Sequence, residues 1–150
     1  MNDRDFSVSI ITDQAPEAVF NAINNVRGWW TQNLEGQTLL KDDVFEVRFG
    51  DVHYSRQQLT DVVPYKKVIW LVTDSHLNFV QDPAEWNQTR IRFDIAAANG
   101  QTELRFTHEG LHAGVECYAA CSNAWSGYIS GSLRSLILNG KGNPDPKNAG

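Results

Sequence analysis

Alternating apolar and polar positions run through most of the chain and predict β-strands. Phe6, Val8 and Ile10 alternate with mostly polar neighbours, which is the two-residue period of a half-buried strand. The other segments with strand character are residues 44–49, 53–63, 67–73, 89–96 and 102–108. Asn99-Gly100 separates the last two, and this pair is typical of tight hairpins. We therefore predict six strands, and the facing of Trp70 stays open because residues 67–73 are apolar on both sides.

Two segments instead carry helical signals. After the first strand, Pro16 and Glu17 suit the first turn of a helix, which ends before Gly28, and a second short helix can follow before Leu40. Near the chain end, residues 115–138 repeat apolar side chains at three- and four-residue steps. This order of strand, helix, strands and long helix predicts an α+β fold, in which one face of an antiparallel sheet is covered.

Length and composition favour one soluble domain. The 150 residues are 41% hydrophobic and carry a net charge of −5, which disfavours nucleic acid and anionic membrane surfaces as partners. No apolar run is long enough for a membrane span, and the first residues do not resemble a signal peptide, so we expect a cytoplasmic protein. Residues 1–140 form the predicted ligand-binding domain, and residues 141–150 a flexible tail with little apolar content.

The long helix and the sheet together predict a hydrophobic cavity. Gly127 and Gly131 interrupt the helix, and each costs about 1 kcal/mol relative to alanine, so open space or close approach is the expected compensation. The opposing sheet face supplies large aromatic rings with few polar neighbours, as in ligand pockets. His108 and Tyr128 are the candidate polar contacts. The candidate cavity residues are Trp29, Trp30, Phe45, Val47, Phe49, Phe93, Phe106, His108, Trp125, Tyr128, Ile129 and Ser132.

No metal site, catalytic residue set or cofactor is expected. Residues 108–112 (HEGLH) match a zinc-protease string, but that string binds zinc only on a helix, and Gly110 and Gly114 oppose a helix here. Cys117 and Cys121 are four residues apart, which does not suit a disulfide on a helix. We interpret both cysteines as core residues.

Several motifs, taken in chain order, resemble the SRPBCC (START-like, helix-grip) superfamily. The chain is most similar to its bacterial branch related to the C-terminal domain of the activator of heat-shock-protein-90 ATPase. The motifs that carry the resemblance are residues 15–20 with Ala22-Ile23, Trp29-Trp30, Val62-Val63-Pro64 with Val68, residues 107–111, Trp125 with Ser132-Leu133 and Leu136, and residues 140–144.

The resemblance implies a curved antiparallel six-stranded sheet gripping the C-terminal helix, with a cavity between them. Relatives include lipid carriers, hormone and flavonoid binders, polyketide cyclases and ring-hydroxylase subunits, so the fold does not decide the function. The chain has no iron-binding set like that of the hydroxylases. It also lacks the N-terminal domain of the eukaryotic chaperone activator, which argues against a chaperone role.

Three functions remain open. The first is non-enzymatic binding of a small hydrophobic, lipid-like or aromatic molecule. The second is a cyclase- or hydrolase-like enzyme that uses His108 as general base. The third is a co-chaperone-like or homodimerising interaction module, which an exposed apolar patch would favour.

Overall fold

The computed structural model describes residues 4–145 and has an α+β architecture. The strands are β1 (Phe6–Thr12), β2 (Leu34–Gly36), β3 (Val44–Phe49), β4 (His53–Val63), β5 (Lys67–Leu77), β6 (Arg90–Ala98) and β7 (Gln101–Glu109). The helices are α1 (Pro16–Asn24), a 3₁₀ turn (Val26–Gly28), α2 (Tyr118–Ser126), a π-helical segment (Gly127–Leu133) and α3 (Arg134–Asn139). The last three are continuous and form the C-terminal helix.

The strands form one antiparallel sheet in the order β1-β7-β6-β5-β4-β3-β2. Register shifts at Arg56/Gln57 and Leu59/Asp61 interrupt the pairing of β4 with β5, and such irregularities bend a sheet. The predicted α+β class and the curved sheet around a C-terminal helix are confirmed. The predicted count of six strands is one short, because β2 spans only Leu34–Gly36 and three residues are too few to show a period.

α1 begins at Pro16 and ends where the 3₁₀ turn redirects the chain toward the sheet. Trp29 and Trp30 follow this turn, and both rings are buried. The Trp29 indole nitrogen donates to the carbonyl oxygen of Ile23 at 3.1 Å. Trp70 also points inward and is fully buried, so the continuously apolar β5 has its largest side chain on the core face.

The C-terminal helix differs from the prediction at both its start and its centre. It begins at Tyr118 rather than near residue 115, and its central turns have π geometry, which is often found at functional sites. Gly127 and Gly131 lie on its exposed side, where an added Cβ would meet no atom within 4 Å. The glycines therefore do not hold the helix away from the sheet, because they face the other way.

The chain beyond the helix returns along its surface. Gly142 passes so close to Gly28 that a Cβ would lie 2.2 Å from the Gly28 carbonyl oxygen. The backbone of Asp145 then pairs with the segment around Thr31, donating to the Trp30 carbonyl at 3.0 Å and accepting from Gln32 at 2.8 Å. Residues 141–145 are thus hydrogen-bonded to the domain. Residues 146–150, the rest of the predicted tail, lie outside the described residues, and their flexibility stays a prediction.

Replacing Gly127 with alanine should raise the free energy of unfolding by about 0.5–1 kcal/mol, because alanine restricts the unfolded chain and favours helical backbone. The φ of Gly127 is −66°, and the space around its Cβ position is open. The measurement is urea-induced unfolding at neutral pH.

Gly140→Ala is the matched control. Its Cβ position is equally open, but its φ is +77°, a left-handed conformation that costs alanine about 1 kcal/mol. The Gly140 variant should therefore be less stable than the parent protein. A change of the same sign in the free energy of unfolding of both variants would contradict this account of the two glycines.

Candidate functional site

A cavity of about 730 Å³ lies between α2 and one end of the sheet. Its walls come from α2 and the π segment, the β3–β4 turn and the β5–β6 connection, and it opens beside Val52 and Phe79, which are 49% and 43% exposed. The lining residues are Trp30, Phe49, Gly50, Asp51, Val52, His53, Phe79, Trp86, Ala120, Cys121, Ala124, Trp125, Tyr128 and Asp145. This end of the helix–sheet interface is the candidate binding site.

One wall belongs to a tryptophan array, which consists of Trp29, Trp70, Trp30, Trp125 and Trp86 and contains all five tryptophans of the chain. Successive rings in this order are 5.0 to 6.2 Å apart between centroids. Trp30, Trp86 and Trp125 line the cavity, and the other two lie behind them in the core. Such large rings, packed against one another, form a rigid apolar wall.

His108 holds two rings of this wall in place from behind. The Trp125 indole nitrogen donates to His108 Nδ1 at 3.0 Å, so Nδ1 is the acceptor of a neutral imidazole and Nε2 carries the hydrogen. Nε2 then donates to Thr89 Oγ1 at 2.8 Å, and Thr89 donates to the Trp86 carbonyl at 2.6 Å. Burial, with a smaller contribution from the nearby His53, lowers the pKa of His108 to about 3. The ring is fully buried and has no face on the cavity.

His53 is the histidine that does line the cavity. Its ring packs edge-on against Trp86 and Phe49, with centroids 4.7 and 5.1 Å away. Burial lowers the pKa of His53 to about 3, so the ring is neutral. Its Nε2 is 2.8 Å from the Ser55 hydroxyl, which already accepts from Gln57.

The Ser55 hydroxyl bridges His53 Nε2 and the side-chain amide of Gln57, so the tautomer of the ring decides whether Nε2 donates or accepts. Nδ1 forms no hydrogen bond within residues 4–145, so the cavity lining includes one unpaired ring nitrogen.

The remaining polar groups lie near the mouth. Tyr128 has its pKa raised by burial first, and then by the charge of Asp145 and a hydrogen bond to its carboxylate. Asp51 comes from the β3–β4 turn and is exposed. The described lining residues therefore include two carboxylates and no lysine or arginine.

Cys117 and Cys121 are both free thiols. Both are buried, as expected for core residues. Cys121 lines the cavity. Cys117 lies behind it, where its sulfur accepts from the Trp86 indole nitrogen at 3.4 Å. The hydrogen bond with Cys121, followed by burial, raises the pKa of the Cys117 thiol. Trp86 is thus held at two points. Its indole nitrogen donates to Cys117, and its carbonyl oxygen accepts from Thr89.

Four of the predicted cavity residues line the cavity, namely Trp30, Phe49, Trp125 and Tyr128. The predicted residues that instead pack in the core, without reaching the cavity, are Trp29, Phe45, Val47, Phe93, Phe106, His108 and Ile129.

Ser132 lines a second groove, of about 570 Å³, on the outer side of the π segment. Its hydroxyl donates to the Trp29 carbonyl and accepts from the Asn143 backbone, both at 2.7 Å. Ser132 therefore ties the helix to the segments before and after it. Three residues line both this groove and the cavity: Ala124, Tyr128 and Asp145.

Sequence reasoning missed His53, Phe79, Trp86 and the alanines of α2. His53 opens a strand with a mostly polar pattern, and Trp86 lies in a connection without any period. The signal that was available is composition: Phe79 and Trp86 are large aromatic residues in an otherwise polar loop.

Within residues 4–145, no group of three or more His, Cys, Asp or Glu side chains is placed to hold a metal ion. None of the helices in the same range combines the length and hydropathy that crossing a bilayer requires.

Comparison with known proteins supports the fold. The Aha1 dimer from Colwellia psychrerythraea is 25% identical, with 93% of this chain and 99% of that chain covered and a TM-score of 0.74. DynU16, a protein in the dynemicin biosynthetic locus, is 14% identical over 94% of this chain and 49% of its own, with a TM-score of 0.67. CalU16 from Micromonospora echinospora is 9% identical over 89% and 74%, with a TM-score of 0.63.

The last two similarities concern the fold alone, and this chain spans about half of DynU16. No protein-family model matches the sequence, and no curated protein matches it. The predicted resemblance to the SRPBCC superfamily, and within it to the branch of the heat-shock-protein-90 ATPase activator, is confirmed.

The two buried histidines make stability depend on pH. Their folded pKa of about 3 lies below the ordinary value of 6.5, so between these values the unfolded chain binds protons that the folded chain excludes. Stability should be fully present above pH 7 and fall as the pH is lowered through 6.5. For His108 the loss between pH 7 and pH 5 should be about 2 kcal/mol, with His53 acting in the same direction.

Urea unfolding at pH 7, 6 and 5 measures this loss. His108→Gln keeps a donor and an acceptor but does not titrate, so its stability should depend less on pH than that of the parent protein. Equal unfolding free energies of the parent at pH 7 and pH 5 would show that these histidines are not held neutral.

Proposed function

We propose that this protein binds a small apolar molecule with aromatic character in the cavity, without changing it chemically. The observation that carries the proposal is an open cavity of about 730 Å³ whose wall is a rigid aromatic surface with one unpaired histidine nitrogen. This volume lies within the range of small-molecule sites. A few oriented polar groups on a mostly apolar wall are also typical of such sites.

The lining suggests how such a ligand would be held. Planar rings would stack on or contact the edges of Trp86 and Trp125, and a polar group such as a hydroxyl, which can donate or accept, would hydrogen-bond to His53 Nδ1. Removing ~200 Å² of apolar surface from water contributes about 5 kcal/mol, from which the cost of ordering the ligand is subtracted. Five kcal/mol alone corresponds to a dissociation constant of about 0.2 mM, so a tighter complex requires the polar contact with His53 and a larger apolar area.

The enzyme alternative finds less support. His108 is fully buried and both its nitrogens have protein partners, so no substrate reaches it. His53 lines the cavity, but a base with a pKa near 3 removes protons poorly at neutral pH, since general bases work best near the operating pH.

The uncharged dye Nile red is a suitable probe, because it is planar and aromatic. We expect saturable binding with a rise in dye fluorescence and a change in tryptophan emission, since all five tryptophans belong to the array that lines the site. Ala124→Trp should weaken binding at least tenfold, because the added indole would occupy the cavity.

Ala119→Trp is the control, since Ala119 lies on the same helix but outside the cavity lining. Its affinity should stay within twofold of the parent. Thermal unfolding of both variants shows that they are folded. Absence of saturable binding, or equal affinities for the two variants, would overturn the proposed function.

Homodimerisation is the second candidate, and it does not exclude the first. The Aha1 protein from Colwellia psychrerythraea forms a dimer, and β1 is an edge strand that pairs only with β7 among the described strands. Such edges readily pair with another chain. Ile11 on this edge is 59% exposed. We propose that two copies associate along β1.

Ile11→Lys should weaken this association, because lysine on an edge strand opposes pairing. Leu40→Lys is the matched control, since Leu40 is 68% exposed but lies outside the strands. Sedimentation velocity over a range of concentrations measures the dimer fraction. A strictly monomeric parent protein, or equal loss in both variants, would contradict a β1 interface.

A further inference from the structure

The charges at the cavity mouth have one sign. Asp51 and Asp145 are the only charged side chains among the described lining residues. The ion pairs formed within residues 4–145 include neither of them. Asp145 lies beside the Tyr128 hydroxyl and raises the pKa of that group, and no cation among residues 4–145 is paired with its carboxylate.

The usual site for an anion next to this cavity is already occupied. A helix N-terminus attracts negative groups through its free backbone N–H groups, and α2 begins beside the cavity. The carboxylate of Glu85 accepts from the backbone nitrogens of Glu116 and Cys117 at 3.1 and 3.0 Å. A ligand carboxylate would therefore meet the negative charge of Glu85 at this helix end and no basic side chain among the described lining residues.

The aromatic rings of the lining favour the opposite charge. Trp30, Phe49 and Tyr128 line the cavity, and the Phe49 ring contacts the other two, with centroids 5.7 Å from Trp30 and 6.0 Å from Tyr128. The faces of such rings attract cations, and aromatic cages are a common means of binding quaternary ammonium groups. Carboxylates beside the rings add to this attraction.

From these observations we propose that the cavity selects ligands with a cationic group, an amine or a quaternary ammonium, on an aromatic or apolar body, and rejects carboxylates of the same shape. This inference rests on the proposed function and names its ligand class. The apolar body lies against Trp86 and Trp125, and the cation lies at the mouth between Asp51 and Asp145.

Three probes with one aromatic body test the inference: (2-naphthylmethyl)trimethylammonium, 2-naphthylmethanol and 2-naphthylacetate. Isothermal titration calorimetry at low ionic strength, where charges are least screened, measures their affinities. The ammonium probe should bind most tightly and the carboxylate at least tenfold more weakly than the ammonium. In the double variant Asp51→Asn/Asp145→Asn, the ratio between the two charged probes should fall to about threefold or less.

Asp13→Asn is the control for net charge, because Asp13 is an exposed acid outside the cavity lining. The Asp13→Asn variant should leave the affinity ratio between the ammonium and carboxylate probes unchanged. Equal affinities for the three probes, tighter binding of the carboxylate, or a ratio that the double variant does not lower would overturn the inference while the proposed function stands.

Nile red separates the two remaining outcomes. If the dye binds but the ammonium probe does not, the charge preference is wrong and the cavity still binds apolar molecules. If neither binds, the proposed function fails, and the inference fails with it.

Discussion

The hydrogen bond from Trp125 to His108 ties the C-terminal helix to the sheet, and the candidate site depends on it. A neutral imidazole has one acceptor and one donor. Here the acceptor serves a ring on the helix, and the donor reaches Thr89, next to the loop that carries Trp86. All these groups are buried or half-buried, so an alternative arrangement would leave polar atoms without partners, at a cost of about 1–3 kcal/mol each. His108 on β7 thus helps to position two tryptophans, Trp125 and Trp86, that belong to different elements.

The cavity exists because small side chains on α2 face large aromatic rings at this end of the domain. The tryptophan array fills the space between sheet and helix elsewhere, with its rings in contact. Near the mouth, α2 presents Ala120 and Ala124 instead of long side chains. Rigid rings on the sheet side cannot expand to fill what the alanines leave, so the gap remains. The exposed glycines of the π segment contribute only to the neighbouring groove.

Proteins with this architecture share little sequence, even where almost the whole chain superimposes. The fold therefore supplies a place for a ligand, and the lining decides which ligand. In this protein the lining combines aromatic faces, a neutral histidine and carboxylates, while Glu85 covers the adjacent helix end. These features come from individual side chains and are independent of the sheet topology.

The sequence by itself determined the α+β class, the main strands, α1 and the approximate extent of the C-terminal helix. Each of these depends on local periodicity or on residues such as Pro16 and the Asn99-Gly100 pair. It also identified a set of aromatic residues of which Trp30, Phe49, Trp125 and Tyr128 line the cavity. The sequence did not predict the short strand β2, because three residues show no period. It also did not predict the π geometry, because π turns need backbone contacts to form.

Only the tertiary structure decided which rings face open space and which histidine is free. Phe93 and Phe106 have the same alternation as Phe49, yet they are fully buried by neighbours distant in sequence. Phe49 lies at the end of β3, is only half-buried and faces the cavity. Both nitrogens of His108 are hydrogen-bonded, to Thr89 and Trp125, while His53 keeps one ring nitrogen unpaired. Periodicity predicts the face of a strand on which a residue lies. Whether that residue borders a cavity, and whether its polar atoms find hydrogen-bond partners, depends on the side chains that other elements place next to it.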